Sequence, residues 1–299
     1  MSAVHVSDGA VLAPTAPRLR ATRRDRRRLA KRVVLSLVMW IVAVLFAAPF
    51  LWMISSSLKR DIDVFQIPLR WIPHPVQWSN YADVWTGQYS LVRFFGNSLF
   101  VAALSVAGEL FTSALAGYAF ARLRFAGRDR IFLIYIATSI VPAQLLLVPR
   151  FMLFKELGLY NTLWALILPA VCTVFGTFLM RQYFASTPSE LAEAGRIDGA
   201  NEWKIFWQLY LPLARPILAA LGILRFVSSW NDYETPLIML STASKYTLPI
   251  GLTEFVDAEG GLSAGLAMAG ATSSVVPMII IFLIFQRQFL QALSHTGLK

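Results

Sequence analysis

Residues 33–54 read VVLSLVMWIVAVLFAAPFLWMI, twenty-two positions interrupted by a single polar side chain, Ser36. A helix rising 1.5 Å per residue needs roughly 20 mostly apolar residues to cross a hydrocarbon layer of about 30 Å. This run is long enough. It exceeds the roughly 7–15 apolar residues of a secretory leader, so it reads as a retained first span. Five further runs have the same character: 98–120, 131–148, 163–180, 213–230 and 266–285, the last with a bend expected at Pro277. None alternates with the period of two expected of a barrel strand. Helix is therefore the expectation for all six, because backbone groups in lipid must be satisfied within the segment.

Composition agrees. Of 299 residues 57% are apolar and 15% charged, where a soluble domain averages about 45–50% and about 25%. So few charges cannot wet the surface of a water-soluble protein of this length. The one cysteine, Cys172, forms no internal disulfide.

The net charge of +10 has a membrane explanation. With the N-terminus in the cytoplasm, the inside segments carry 19 Lys and Arg and the outside segments 7, the bias that orients membrane proteins. Both termini are then cytoplasmic. Residues 18–32 hold nine basic side chains and no aromatic. Directly before a span, such a tail is an orientation signal and lipid-headgroup anchor rather than a nucleic-acid patch. The expected division is a basic tail over 1–32, the first span over 33–54, an extracytoplasmic segment over 55–93, a five-span domain over 94–287 and a cytoplasmic tail over 288–299.

The inside loop over 187–216 is long and not merely polar. Thr187 is placed to cap a helix with Pro188 in its first turn and Glu190 at the capping-box position, giving a helix over 188–197. Asp198, Gly199 and Ala200 break it, and Asn201 is placed to cap a second helix. There Trp203, Phe206, Trp207 and Tyr210 fall at i, i+3, i+4 and i+7, one helical face. Such a pair of helices could lie in the headgroup zone, pack on its own spans, or enter a groove of a soluble partner.

Here a family resemblance enters. Glu193-Ala194-Gly195, then three residues, Gly199, then nine residues, Leu209-Tyr210-Leu211-Pro212 resembles the EAA loop of binding-protein-dependent ABC importer permeases. Gly195 stands where that family usually has a second Ala, and Leu209 where it has Ile. Ser57-Leu58-Lys59, Trp71-Ile72-Pro73, Asn80-Tyr81, Asn97-Ser98-Leu99, the run Ala116 to Arg122 and Ser229-Trp230-Asn231-Asp232 are similar, in order, to landmarks of the maltose-type second permease. The resemblance covers roughly residues 33–290. It implies an all-α, six-span type I importer subunit in a bacterial cytoplasmic membrane, assembled with a second permease, two ATPases that bind ATP and Mg2+, and an extracytoplasmic binding protein. The loop would be the coupling helix in a cleft of the ATPase, with Glu193 fixing register and Trp203 and Phe206 filling the cleft. Ala194, Gly195, Asp198, Gly199, Ala200, Leu211 and Pro212 complete the motif.

The chain has no G-x-x-x-x-G-K-[ST] phosphate cradle, and its three histidines lack metal-ligand spacing. No cofactor, metal site or catalytic group is expected in it. Two charges lie within expected spans, Glu109 and Arg225. They either pair with each other or line a polar pathway. Ser229, Trp230, Asn231 and Asp232 combine an aromatic face with planar polar groups, the chemistry that binds sugars; Trp230 alone would also suit an interfacial anchor. Glu254, Asp257, Gly260 and Gly261 fall in a segment that in the family reaches toward the binding protein. A carbohydrate is the expected cargo, with a glycerophosphate-type ester or polyol as the alternative. A secondary transporter would need a coupling-ion site or inverted repeat, and none is evident.

Overall fold

The computed structural model describes residues 23–87, 90–255 and 263–296, and among them there are helices, turns and irregular links only. By contacts the chain falls into two units, Met1–Leu51 and Trp52–Lys299. The first unit contains most of α1 (Arg23–Ser57), which carries the run 33–54 as one helix with Pro49 inside it. The second begins with two short helices, α2 (Asp61–Val64) and α3 (Ser79–Thr86), and then the 32-residue α4 (Leu91–Arg122). After it come α5 (Arg128–Ala137), α6 (Leu147–Glu156), α7 (Trp164–Ala170) and α8 (Val174–Ser186). The loop region holds α9 (Glu190–Ile197), α10 (Glu202–Ile205), a π-turn at Phe206–Tyr210, and α11 (Leu211–Leu213). The chain finishes with α12 (Arg215–Trp230), α13 (Glu234–Met239), α14 (Leu248–Gly251) and α15 (Ala264–Thr296).

Among the described residues four stretches are long and apolar enough to cross a membrane: Lys31–Ser57, Leu91–Arg122, Trp164–Ser186 and Ala264–Gln286. They contain the expected runs 33–54, 98–120 and 266–285 and all but the first residue of 163–180. Pro277 lies inside α15 without dividing it. The runs 131–148 and 213–230 each fall in a bent pair of helices; 131–148 contains its bend, whereas 213–230 is essentially α12, which follows the bend. The pair Arg128–Ile140 and Ala143–Glu156 turns by 88°, and Glu202–Leu213 turns by 74° into Arg215–Trp230. Proline causes the first break. Pro142 lacks an N–H and pushes the residue before it out of the helical region, and Val141 is extended at φ −75°, ψ 116°. Among the described residues the helices long and apolar enough to cross number four, or up to six if each bent pair is one span.

Within the second unit α4 is the centre. It packs along α8, α12 and α7, while α12 also packs against α15. Two glycines allow α4 and α8 to close. A Cβ on Gly117 would stand 2.5 Å from Met180 Cβ and 2.8 Å from the Arg181 backbone nitrogen; one on Gly176 would stand 2.3 Å from Ser113 Oγ. Both contacts lie far inside van der Waals range.

Apolar residues gather at three levels. At one end of α4, Ala114 and Tyr118 join Met180, Phe184, Phe206 and Tyr210. At the other, Leu91 and Phe94 join Phe226, Trp230 and Leu248. A third group places Val101 with Phe154, Ile167 and Met239.

Gly117→Ala is expected to destabilise the folded protein by about 1–3 kcal/mol, the usual cost of overpacking. Gly96→Ala has nothing within 4 Å of the added Cβ and is expected to leave stability unchanged or raise it by about 0.5–1 kcal/mol through helix propensity. Thermal unfolding of the two variants in detergent checks the opposite signs.

Candidate functional site

The loop between α8 and α12 is built from its turn residues upward. Thr187 does not cap α9. It ends α8, its N–H donating to Phe184 O and its hydroxyl to Tyr183 O, so α9 begins at Glu190 instead of 188. The α9 terminus is closed by a glycine. Gly199 adopts φ +78°, and the Ala200 N–H returns to Gly195 O at 2.9 Å while the Gly199 N–H reaches Arg196 O at 3.0 Å. This pattern satisfies the carbonyls a helix leaves open at its end. Asn201 then caps α10, its side chain accepting from the Lys204 N–H at 2.8 Å. Gly195 is buried, and a Cβ there would stand 3.0 Å from Leu209 Cδ1 and 3.3 Å from Ile205 Cγ1. The small residue lets α9 lie close on the returning chain.

The helix pair offers one exposed edge. Glu193, Ala194 and Asp198 are exposed, and Ile197 is 86% exposed beside them. The sequence reading passed over Ile197; its apolar side chain next to the Asp198-Gly199 break was the available signal. The four loop aromatics differ in depth, although the rings of Trp203, Phe206 and Trp207 touch one another with centroids 5.4–6.0 Å apart. Trp203 and Trp207 stay at the surface. Tyr210 is fully buried and Phe206 is 2% exposed, packed on Tyr118 with ring centroids 5.1 Å apart. Phe206 is therefore a core residue and cannot fill a partner's cleft. Ala200, Leu211 and Pro212 are half-buried and lead into the bend before α12.

Three polar groups that the sequence reading did not pair tie this loop to α4. Tyr118 donates its hydroxyl to Glu202 Oε2 at 2.8 Å. Arg196 Nε donates to Glu202 Oε1 at 2.8 Å. Burial pushes the Glu202 carboxyl up, but the bonds from Tyr118 and Arg196 outweigh it and hold the group below its usual range. The same partner holds the Arg196 guanidinium above its own. One turn further along α4, Arg122 donates to Phe184 O and Thr187 O at the end of α8. No spacing rule could join Tyr118 to a residue 84 positions away.

Mid-way along α4, Glu109 is 3% exposed. Its Oε1 accepts from the Thr173 hydroxyl, and its Oε2 lies 3.7 Å from Arg225 Nε on α12. The two intramembrane charges are thus a pair. Neither Glu109 Oε2 nor Arg225 Nε has a hydrogen-bond partner.

The proposed sugar-facing run takes other parts. Trp230 is 2% exposed, stacked on Phe226 at 5.4 Å and donating Nε1–H to Ser274 O at 3.1 Å. It is core and faces no pathway. Asn231 donates to Val227 O at 2.9 Å, Asp232 accepts from the Thr235 N–H at 3.1 Å, and Ser229 is half-buried. Glu254 sits half-buried in a short turn, and Asp257, Gly260 and Gly261 lie outside the described residues.

At the opposite end of α4 the sequence landmarks meet each other. Asn80 donates to Ser57 O and Lys59 O at 2.9 and 2.8 Å, and the Ser57 and Tyr81 hydroxyls share a bond of 2.8 Å. Asn97 donates to Ser244 O and Tyr246 O, and Ser98 Oγ accepts from the Leu248 N–H. The buried Lys59 donates to Arg70 O at 2.6 Å and lies 3.8 Å over the Trp52 ring. Burial lowers its pKa, against the opposing pull of Asp63. Among the described residues no three His, Cys, Asp or Glu side chains gather as a metal site would require.

Comparison with known proteins gives concordant matches. The family model for the binding-protein-dependent transport system inner membrane component matches residues 110–295. The arabinooligosaccharides transport system permease protein AraQ of Halalkalibacterium halodurans is 34% identical over 278 residues, covering 90% of this chain and 99% of that one. The diacetylchitobiose uptake system permease protein NgcG of Streptomyces coelicolor is 31% identical, over 92% of this chain and 91% of its own. The sn-glycerol-3-phosphate transport system permease protein UgpE of Yersinia enterocolitica is 31% identical, over 86% and 93%. Among solved structures, a chain of a bacterial ABC transporter that imports the acidic polysaccharide alginate superposes with a TM-score of 0.78 at 26% identity. It covers 93% of this chain and all of that one.

Removing one partner of the Glu109–Arg225 pair leaves the other charge buried and unmatched. Glu109→Gln or Arg225→Met alone is expected to cost about 3–5 kcal/mol, and the double variant far less than the sum. A double-mutant cycle on thermal unfolding in detergent checks this; strictly additive losses would show that the two groups do not interact. Glu202 also sets an acid limit. Its depressed pKa contributes stability that is full above the unfolded value of about 4.3 and is lost as pH falls through the lower folded value. Acid titration of protease resistance is expected to show the loop loosening in that window, and Glu202→Gln to remove the dependence.

Proposed function

We propose, from the premise that this chain belongs to the family of binding-protein-dependent transport system inner membrane components, that it is a permease subunit of an ATP-driven importer moving a carbohydrate across the bacterial cytoplasmic membrane. The relatives named for arabinooligosaccharides and diacetylchitobiose, and the alginate importer chain, support a sugar cargo. Both termini and the 187–216 loop lie on the cytoplasmic side, following the Lys and Arg bias. A second permease stands beside this one, an extracytoplasmic binding protein delivers the cargo, and two ATPases below bind ATP and Mg2+.

One observation carries the reading. The loop presents Glu193, Ile197 and Trp203 outward from a base in which Phe206 and Tyr210 are locked inside the chain. An apolar tip flanked by carboxylates is the shape of a helix that enters a groove on a soluble partner. The ATPase supplies that groove. Closure of the two ATPases on ATP then moves the loops and turns the spans as rigid bodies between inward-open and outward-open arrangements.

Reconstitution of the full complex in proteoliposomes tests this. ATP-dependent uptake of a labelled oligosaccharide is expected with all subunits present. Glu193→Lys and Trp203→Ala are expected to release the ATPase during purification and to abolish uptake, with unchanged folding of the permease. Uptake of glycerol 3-phosphate in place of any oligosaccharide would move the cargo to the class named for the Yersinia relative. Full activity in Glu193→Lys would remove the loop from coupling.

A further inference from the structure

An outward loop transmits force only if its inner end is fastened to the elements it moves, and the fastening is visible. The Tyr118 ring is 4% exposed and is held on three sides, by Phe184, Phe206 and Tyr210, at centroid distances of 5.9, 5.1 and 5.3 Å. These aromatics come from α8 and from the π-turn. Its hydroxyl is the part that reaches beyond the aromatic cage, and it ends on Glu202, whose other oxygen takes Arg196 from α9. Glu202 thus joins the first turn of α10, the last turn of α9 and the last turns of α4.

The geometry beyond Glu202 makes this junction a lever. From Glu202 to Leu213 the chain is one short rod that turns by 74° into α12. One end of the rod is bonded to α4 through Tyr118, and the other continues into α12. Half-way along the bundle, α4 and α12 approach again at Glu109 and Arg225. A displacement of the rod therefore acts on α4 and α12 together, at its two ends, and those two helices are tied once more at mid-depth.

We infer that the Tyr118–Glu202–Arg196 linkage carries the displacement of the α9–α10 loop into α4, with Tyr118 and Glu202 acting as positioning residues for transport. This rests on the importer reading above. The linkage has the strength the task asks for: a hydrogen bond to a charged acceptor is stronger than one between neutral groups, yet it leaves the packing of the ring untouched when it is removed.

Tyr118→Phe is the direct test, since it deletes the hydroxyl and keeps the caged ring. In proteoliposomes holding the full complex, the variant is expected to assemble and hydrolyse ATP while the carbohydrate moved per ATP falls on the order of tenfold, the weight of one such hydrogen bond. Glu202→Ala is expected to lower the ratio equally, and Glu202→Gln, which keeps an oxygen for Tyr118, to retain most of it. A merely structural role would lower uptake and hydrolysis in parallel and leave the ratio alone; that result, or an unchanged ratio in Tyr118→Phe, overturns the linkage. If the wild-type complex hydrolyses ATP but imports no carbohydrate, the proposed function fails instead. The linkage is then read from amide exchange over residues 190–205 of the wild-type and Tyr118→Phe permease. Faster exchange in the variant supports it, and identical exchange overturns it.

Discussion

The close approach of α4 and α8 is the constraint on which the rest of the structure depends. At Gly117 and Gly176 the two helices leave no room for even a methyl group, and that contact sets the rotation of α4 about its own axis. With the rotation set, Glu109 faces Thr173 and Arg225, Tyr118 faces the returning loop, and Arg122 reaches the last carbonyls of α8. Between helices in lipid there is no hydrophobic drive to associate, so small residues that permit close packing and polar groups that bond across the interface supply it. The α4–α8 pair uses both. A long helix so positioned carries polar attachments at both ends and at its middle.

The distribution of apolar surface follows from that frame. Inside the bundle the aromatics are buried and partnered. On the loop the arrangement reverses, with Ile197, Trp203 and Trp207 facing outward beside Glu193 and Asp198. Exposed apolar area costs roughly 25 cal/mol for each Å² left in water, which gives the loop a reason to seat in a partner. The bonds at Tyr118, Arg122 and Asn201 fix the loop's shape in the free chain, which under the proposed docking would lower the entropy lost on binding. The opposite end of α4 is tied differently, through Asn97, which holds the carbonyls of Ser244 and Tyr246, and through Ser98, which accepts from the Leu248 N–H. One end is a rigid corner and the other a fastened lever.

Much of this was legible in the residues. The apolar runs located the spans, the Asp198-Gly199-Ala200 break and the Asn201 cap located the loop's turn, and two lone charges in apolar surroundings pointed to a pair. Three features were not. Helical spacing grouped Trp203, Phe206, Trp207 and Tyr210, but it did not say which of them would be buried: Phe206 and Tyr210 pack inward and the tryptophans stay outside. Apolarity alone located 131–148 but not the 88° bend within it, where Pro142 forces Val141 out of the helix. Trp230 looked like a sugar platform beside Asn231 and Asp232, but its ring packs on Phe226 and the two polar side chains serve the backbone around the end of α12. Contacts between distant segments are the part that local pattern does not carry, as the Tyr118–Glu202 bond illustrates.

The central claim is that the loop and α4 move as one body. Spin labels at Gln208 on the loop and Phe111 on α4, both exposed, in a chain whose single cysteine is replaced by Cys172→Ser, measure it directly by pulsed electron resonance in the reconstituted complex. One narrow distance, the same without nucleotide and with ATP trapped, is the expected result. A distance that shifts by several ångströms or splits into two populations on ATP binding would contradict the account.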